Sequence, residues 1–125
     1  MTEELVEAAR EAATRAYAPF SNFRVGAVVV GEDGTRYTGC NVENGALGSS
    51  ICAEASAIAS AVSAGVRAIS TIAVSCLDAE TDGGYPCGNC RQLMNEFGVE
   101  TVIVDDPSGA RVHTLEELLP YGFRL

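Results

Sequence analysis

The sequence predicts an α/β protein, a three-layer α-β-α sandwich with a mixed five-stranded sheet. Runs of small and β-branched residues alternate with helical patterns along the chain. The first two of these runs are separated by a short glycine-containing turn, which indicates an antiparallel hairpin. The later runs are separated by helical stretches, and crossovers of that length favour parallel pairing. A hairpin joined to parallel strands makes a mixed sheet.

The N-terminal third begins with a helix and continues into the hairpin. Residues 3–17 carry alanine and leucine at three- and four-residue spacings with charged residues between them. This pattern predicts an amphipathic helix that ends before Pro19. Residues 25–30 are the first predicted strand, residues 31–34 form a Gly-Glu-Asp-Gly turn, and residues 35–40 are the return strand.

The middle third contains a helix made almost entirely of small residues. Residues 41–50 lack periodicity and predict a loop, and residues 52–64 predict the alanine-rich helix, closed by Gly65. Because this helix has almost no charged face, we expect it to be covered on both sides, by the sheet and by another subunit. Residues 68–76 are a buried-strand run, and residues 77–85 are a polar connection.

The C-terminal third repeats the alternation. Residues 88–97 predict a helix that Gly98 closes, and residues 99–104 predict the next strand. Residues 110–113 predict a short edge strand. A final helix is expected to begin at residues 114–117, whose Thr-Leu-Glu-Glu pattern is typical of a capping box.

Composition narrows the class of protein. At 125 residues, the chain is expected to form one domain over residues 1–125. The formal charge of -9 and the absence of lysine leave no basic stripe, which speaks against nucleic acid as a partner. No apolar run approaches the roughly 18 residues of a membrane span, and the acidic N-terminus differs from a secretory signal. We therefore expect a cytoplasmic protein with no membrane partner.

Three cysteines and a glutamate form a candidate metal site. Cys87 and Cys90 lie three residues apart at one predicted helix start, and Cys52 begins another, followed by Glu54. Helix N-termini favour thiolates, the ligating form of cysteine. Zinc suits sulfur ligands, and three protein ligands leave a fourth position for water, as in catalytic sites. Glu54 is placed to accept a proton from that water.

Each half of the pattern has other interpretations. Two cysteines separated by two residues also occur in structural zinc half-sites and in redox pairs. The pattern becomes specific when both segments open helices in one chain. Cys40 and Cys76 are expected to be packing residues, and His113, the single histidine, is expected to be solvated or packed at the edge of the sheet.

With these residues in view, the chain resembles the small homotetrameric zinc-dependent cytidine deaminases that act on free nucleosides. The resemblance extends almost from end to end. It includes both cysteine segments and three further stretches: Tyr17–Ala27, Gly39–Asn44 and Glu117–Phe123.

The resemblance implies a cytidine deaminase-like fold and one zinc ion per subunit. The zinc ligands would be Cys52, Cys87 and Cys90, and Glu54 would be the proton shuttle for attack of zinc hydroxide on cytosine. The products would be uridine or deoxyuridine and ammonia, as in pyrimidine salvage. The implied substrate-binding residues are Phe23 for stacking, Asn41 and Glu43 for the ribose, the backbone of Ala53 for the base carbonyl, and Phe123 for a neighbouring subunit's site in a homotetramer.

Two departures from that family keep alternatives open. Many relatives have an arginine directly after the glutamate, where this chain has Ala55, and an aromatic residue near Leu47. Arg91 or the helix dipoles would then have to compensate the thiolate charge. The alternatives are a deaminase of a modified or antibiotic cytosine nucleoside, similar to blasticidin S deaminases, and an inactive zinc-stabilised binding module.

Overall fold

The computed structural model of the chain describes residues 1–80 and 84–125, and it confirms the predicted fold class. The strands are β1 (Val25–Gly31), β2 (Arg36–Cys40), β3 (Ile69–Cys76), β4 (Thr101–Asp106) and β5 (Gly109–Thr114). The helices are α1 (Thr2–Ala13), α2 (Ala53–Ser63), α3 (Gly88–Glu96) and α4 (Leu115–Leu118). Part of the predicted 77–85 connection, residues 81–83, lies outside the described residues.

The sheet is mixed, as the sequence predicts. Its strand order is β2-β1-β3-β4-β5. Strand β1 pairs antiparallel with both β2 and β3, β3 pairs parallel with β4, and β4 pairs antiparallel with β5. Among these five strands, the one parallel pair is β3 with β4, whose crossover contains α3. This agrees with the need for a long connection between parallel strands.

Alternation along the strands divides the core into two layers. On one face of the sheet, α1 packs Leu5 and Val6 against the β1 residue Val28. On the other face, α2 and α3 pack with Ala27 and Val29 of the same strand. These residues are almost completely buried. Because side chains alternate along a strand, one short apolar run serves both layers of the sandwich.

Two strand glycines allow helices to approach the sheet closely. A Cβ atom on Gly39 would lie 2.4 Å from the backbone nitrogen of Ala57 in α2. A Cβ atom on Gly26 would lie 2.0 Å from the carbonyl oxygen of Ala9 in α1. Both helices are thus seated against glycine, one on each face of the sheet.

Helix α1 ends at Ala13 and does not extend to residue 17 as its periodicity predicts. The reason is competition from a neighbouring segment. The Tyr17 N–H donates to the Asn41 carbonyl at 3.0 Å, and the Glu43 N–H donates to the Tyr17 carbonyl at 2.8 Å. These bonds hold Tyr17 in a strand-like bridge, which is incompatible with a continuing helix.

The remaining helix boundaries follow local signals. Gly65 and Gly98 close α2 and α3 with positive φ angles of 103° and 72°. Thr114 and Glu117 form the predicted capping box at α4. The outer face of α2 is exposed within the single chain. Among the described residues, no helix is long and apolar enough to cross a membrane.

Candidate metal centre and substrate cavity

Three cysteine sulfurs converge between α2 and α3. The Sγ atoms of Cys52, Cys87 and Cys90 all lie within 4.8 Å of one another. Cys90 is buried, whereas Cys52 and Cys87 are exposed. The cluster is therefore open on one side. Residues separated by 35 positions in the chain meet because two helices begin at the same end of the sandwich.

The helix starts place these cysteines. Cys52 is the N-cap of α2 and Cys87 is the N-cap of α3, both with extended backbone conformation. Cys90 follows in the first turn of α3, so its side chain returns to the helix N-terminus. The positive ends of both helix dipoles consequently point toward the sulfur cluster.

Burial and mutual proximity change the acidity of the three thiols. Burial raises the pKa of Cys52. Burial also raises the pKa of Cys90, and the neighbouring Glu54 and Cys52 add to that increase. Burial acts in the same direction on Cys87, but hydrogen bonds from the Cys90 and Asn89 backbone outweigh it, so the pKa of Cys87 is lowered.

The donor set fits zinc. Three sulfurs at about 2.3 Å from one tetrahedral zinc ion lie roughly 3.8 Å from one another. Since the three Sγ atoms already lie within 4.8 Å, they need to approach by at most about 1 Å. A soft, three-sulfur set with an open side leaves one coordination position free, the arrangement of a catalytic zinc site.

Glu54 lies directly beside the cluster, on the first turn of α2. Its side chain is buried, with 5% of the residue exposed, and it contributes to the cavity wall. Burial raises the pKa of Glu54, because low polarity disfavours the charged form. A carboxyl group in this position can hold a proton and release it within the cavity.

The cavity beside the cluster has a volume of about 360 Å³. This is within the usual range of about 300 to 1,000 Å³ for small-molecule sites. Four of the predicted substrate-binding residues contribute to its wall: Phe23, Asn41, Glu43 and Ala53. A larger groove of about 570 Å³ lies beside α4, but its described walls contain no cysteine.

Asn41 and Glu43 organise the segment that carries Phe23. The Asn41 amide donates to the Phe23 carbonyl at 2.7 Å and accepts from the Val25 N–H at 2.9 Å. The Glu43 carboxylate accepts from the Phe20 and Ser21 backbone and from the Ser21 hydroxyl. The Ser21 hydroxyl is the main cause of the lowered pKa of Glu43.

Phe23 and Ala53 present different groups to the cavity. Phe23 is 52% exposed, so its ring has a face available for stacking. Ala53 is completely buried at the start of α2. Ala53 nevertheless contributes to the cavity wall.

Phe123 lies apart from this cavity. Its carbonyl accepts hydrogen bonds from Gln92 at 2.9 Å and Asn95 at 3.0 Å, and the residue is 64% exposed. Within one chain, the structure does not bring Phe123 together with the other predicted site residues.

Sequence reasoning missed several residues of the cavity wall: Val25, Ser50, Ile51, Cys76, Gly84 and Tyr85. Cys76, expected to be a packing residue, and Tyr85 both line the cavity. His113, expected to be solvated or packed at the edge of the sheet, lies in the edge strand β5 and also forms a 2.8 Å hydrogen bond with the Tyr85 hydroxyl. The one signal in the sequence was the position of Tyr85, two residues before the predicted ligand Cys87.

The three-layer fold, the cysteine cluster and the buried carboxyl group together define a zinc-binding α/β enzyme. Comparison with known families makes this more specific. Residues 1–105 match the cytidine and deoxycytidylate deaminase zinc-binding region. The chain belongs to this family.

Individual relatives agree with that assignment. A cytidine deaminase of Sporosarcina psychrophila is 42% identical over 125 residues, covering 97% of this chain and 90% of the relative. A cytidine deaminase of Mycobacterium tuberculosis is 39% identical, covering 94% and 85%. The crystal structure of the Burkholderia pseudomallei cytidine deaminase aligns with a TM-score of 0.89 at 43% identity, covering 98% of this chain and 99% of that one.

Proposed function

We propose that this protein hydrolyses the amino group of free cytosine nucleosides, converting cytidine or 2′-deoxycytidine and water into uridine or 2′-deoxyuridine and ammonia. The observation that carries the proposal is the presence of the sulfur cluster and the buried Glu54 in one cavity with Phe23. Membership of the deaminase family and the names of the relatives support the same reaction.

Cys52, Cys87 and Cys90 are the proposed ligands of one zinc ion. Bound zinc supplies Lewis acidity, which can lower the pKa of a water molecule from 15.7 to about 7. This difference corresponds to roughly 12 kcal/mol in the availability of the nucleophile. The sulfur ligands require deprotonation on binding, and the two helix N-termini favour their negative charge.

Glu54 is the proposed proton carrier. Its carboxylate accepts one proton of the attacking water and delivers it to the ring nitrogen next to C4, while the water oxygen bonds to C4. Glu54 then accepts the second proton of that water from the new C4 hydroxyl and delivers it to the amino group. The C–N bond at C4 breaks, the C–O bond becomes the carbonyl of the product, and ammonia leaves. A buried, raised-pKa carboxyl group suits this role because it must be able to hold the proton between the two transfers.

The other wall residues are proposed to place the nucleoside. Phe23 stacks on the pyrimidine, and the Ala53 backbone contacts the base carbonyl. Asn41 and Glu43 already form hydrogen bonds with the segment around Phe23. Their remaining donor and acceptor positions bind the ribose.

The test is ammonia release from a panel of cytidine, deoxycytidine and modified cytosine nucleosides, with zinc content measured on the same samples. We expect Glu54→Gln to retain zinc and lose several orders of magnitude in rate, because one proton carrier serves the whole reaction. The matched control is Glu96→Gln, at the last residue of α3. Near-normal turnover by Glu54→Gln would refute the assignment.

The panel also separates the alternatives. Faster turnover of an antibiotic or modified cytosine than of cytidine would favour the specialised deaminase. Absence of turnover on every substrate, with zinc bound, would indicate the inactive binding module. Within this panel, we expect cytidine or deoxycytidine to give the highest rate, because Phe23, Asn41 and Glu43 all line one cavity.

A homotetramer in the cytoplasm is part of the proposal. The exposed outer face of α2 consists of small residues, and Tyr121 and Phe123 are exposed aromatic side chains near the C-terminus. Association would cover both and could carry Phe123 to a neighbouring subunit's cavity. Analytical ultracentrifugation tests the assembly, and a monomer with full activity would contradict it.

A further inference from the structure

The turn that carries Cys87 is fastened to the C-terminal part of the fold by a tyrosine–histidine contact. The Tyr85 hydroxyl lies 2.8 Å from Nε2 of His113, in strand β5. Their ring centroids are 5.4 Å apart, with the planes inclined by 58°. Tyr85 lies two residues before Cys87, so this contact acts on the backbone leading directly into a proposed ligand.

A second contact restrains the same turn. Arg91 donates from Nε to the Pro86 carbonyl and from Nη1 to the Leu118 carbonyl, both at 2.8 Å. Both anchors thus connect the turn at residues 85–87 with the β5–α4 region. Within residues 1–80 and 84–125, the 85–87 segment is paired with no strand, so we expect the side-chain contacts to hold it in place.

Cys52 is held differently. Its neighbour Ile51 exchanges two backbone hydrogen bonds with Val42, at 2.9 and 2.8 Å. Both cysteine carbonyls accept from a backbone N–H in the first turn of their helix, Cys52 from Ser56 and Cys87 from Arg91, each at 3.0 Å. The two sites differ in the segment before the cysteine: backbone bonds hold the segment before Cys52, whereas side-chain contacts hold the segment before Cys87.

His113 is itself well positioned to serve as an anchor. It pairs with Val102 in the sheet, and 22% of its side chain is exposed. Its Nδ1 lies 3.7 Å from the Glu117 carboxylate, which belongs to the capping box of α4. With strand pairing on one side and the capping box on the other, the imidazole has little freedom to follow a shift of Tyr85.

We propose that the Tyr85–His113 hydrogen bond is a positioning contact for zinc, which holds the 85–87 turn so that Cys87 keeps its ligating position. The inference rests on the proposed function only through the ligand set of Cys52, Cys87 and Cys90. Loss of a group that orients a ligand typically weakens metal affinity by about 10- to 100-fold. The lower end, about tenfold, is expected here because Arg91 still restrains the turn.

The experiment measures zinc affinity by competition with a chromophoric chelator at fixed pH. The variants are Tyr85→Phe, His113→Ala and the double substitution, with His113→Gln as the conservative replacement. Tyr37→Phe is the matched control, because Tyr37 is a partly buried tyrosine packed against the same core. Melting temperatures of the zinc-free proteins show whether each variant is folded.

We expect each single variant to bind zinc about tenfold more weakly, and the double variant no more weakly than either single one, because both remove the same contact. His113→Gln should recover most of the affinity, since its amide can reach the same hydroxyl. Tyr37→Phe should bind zinc like the unmodified protein.

Unchanged zinc affinity in Tyr85→Phe, or fully additive losses in the double variant, would overturn the positioning role. Neither result would affect the proposed reaction. Undiminished zinc binding by Cys87→Ser would instead overturn the ligand set, and with it both the positioning role and the proposed function.

Discussion

Replacement of Gly39 by alanine should displace α2 and so disturb the zinc site at the N-terminus of that helix. Gly39 has no positive φ, so alanine is compatible with the backbone conformation itself. The difficulty is space. The new Cβ would lie 2.4 Å from the Ala57 nitrogen, about 1 Å less than the 3.4 Å at which ordinary contacts begin. Since the obstructing atom is backbone, α2 as a whole must move.

That displacement has two measurable effects. Overpacking of this kind typically lowers the free energy of unfolding by about 1 to 3 kcal/mol. Cys52 is the N-cap of α2 and Glu54 lies in its first turn, so a shift of about 1 Å is passed to the proposed ligand and the proposed proton carrier. A misplacement of that size can lower catalytic efficiency by about 100-fold. We expect a similar decrease in kcat/KM together with weaker zinc binding.

The assay compares Gly39→Ala with Gly26→Ala by denaturant unfolding, zinc competition and cytidine turnover. A Cβ on Gly26 would clash at least as strongly, at 2.0 Å, but with α1 on the face of the sheet away from the zinc site. Both variants should be destabilised, while Gly26→Ala keeps its zinc affinity. Normal zinc affinity in Gly39→Ala, or equal losses in both variants, would refute the reasoning.

Three further predictions concern other parts of the structure. Asn41→Ala should lower the free energy of unfolding by about 1 to 3 kcal/mol, because the Val25 N–H loses its acceptor, and it should also raise KM for cytidine. Denaturant unfolding measures the first effect and steady-state kinetics the second. An unchanged KM would limit Asn41 to a structural role. Burial acts to raise the pKa of Asp105, but hydrogen bonds from Arg10 and Ser75 outweigh it and hold that pKa below its ordinary value. The stabilisation is therefore present above the unfolded-state value near 3.9 and is lost as the pH falls through the lower folded-state pKa. Asp105→Asn should reduce the melting temperature at pH 7 by a few degrees, and the difference should shrink below about pH 4; a constant difference would contradict the assignment. Removal of zinc by a chelator should lower the melting temperature, and readdition of zinc should restore it, because an ion that binds only the folded state stabilises that state. An unchanged melting temperature would argue against a tightly bound ion.

The sequence predicts those parts of the fold that depend on local patterns. The antiparallel hairpin, the capping box at Thr114 and the glycine-closed ends of α2 and α3 follow from residues within a few positions of one another. The cysteine cluster was also predictable, because a ligand set needs only two helix starts at the same end of a sandwich. In each case the necessary information lies within one short segment or one recurring arrangement.

The features that could not be predicted depend on contacts between distant residues. Periodicity extends the first helix to residue 17, but the bonds of Tyr17 with Asn41 and Glu43 end it at Ala13. The Tyr85–His113 bond joins residues 28 positions apart through side chains alone. No spacing rule identifies such a pair, because its geometry depends on how β5 lies relative to the turn.

The negative charge of the thiolate cluster must be stabilised by neighbouring groups. Three thiolates and a zinc ion carry a net charge of minus one, and Ala55 contributes no compensating cation. Arg91 was a candidate for this role, but its Nε and Nη1 donate to the Pro86 and Leu118 carbonyls. The N–H groups of Asn89 and Cys90 do reach the proposed ligand Cys87 and lower its pKa. In this chain, backbone donors at a helix start therefore stabilise the sulfur charge, while Arg91 fixes the turn on which those donors depend.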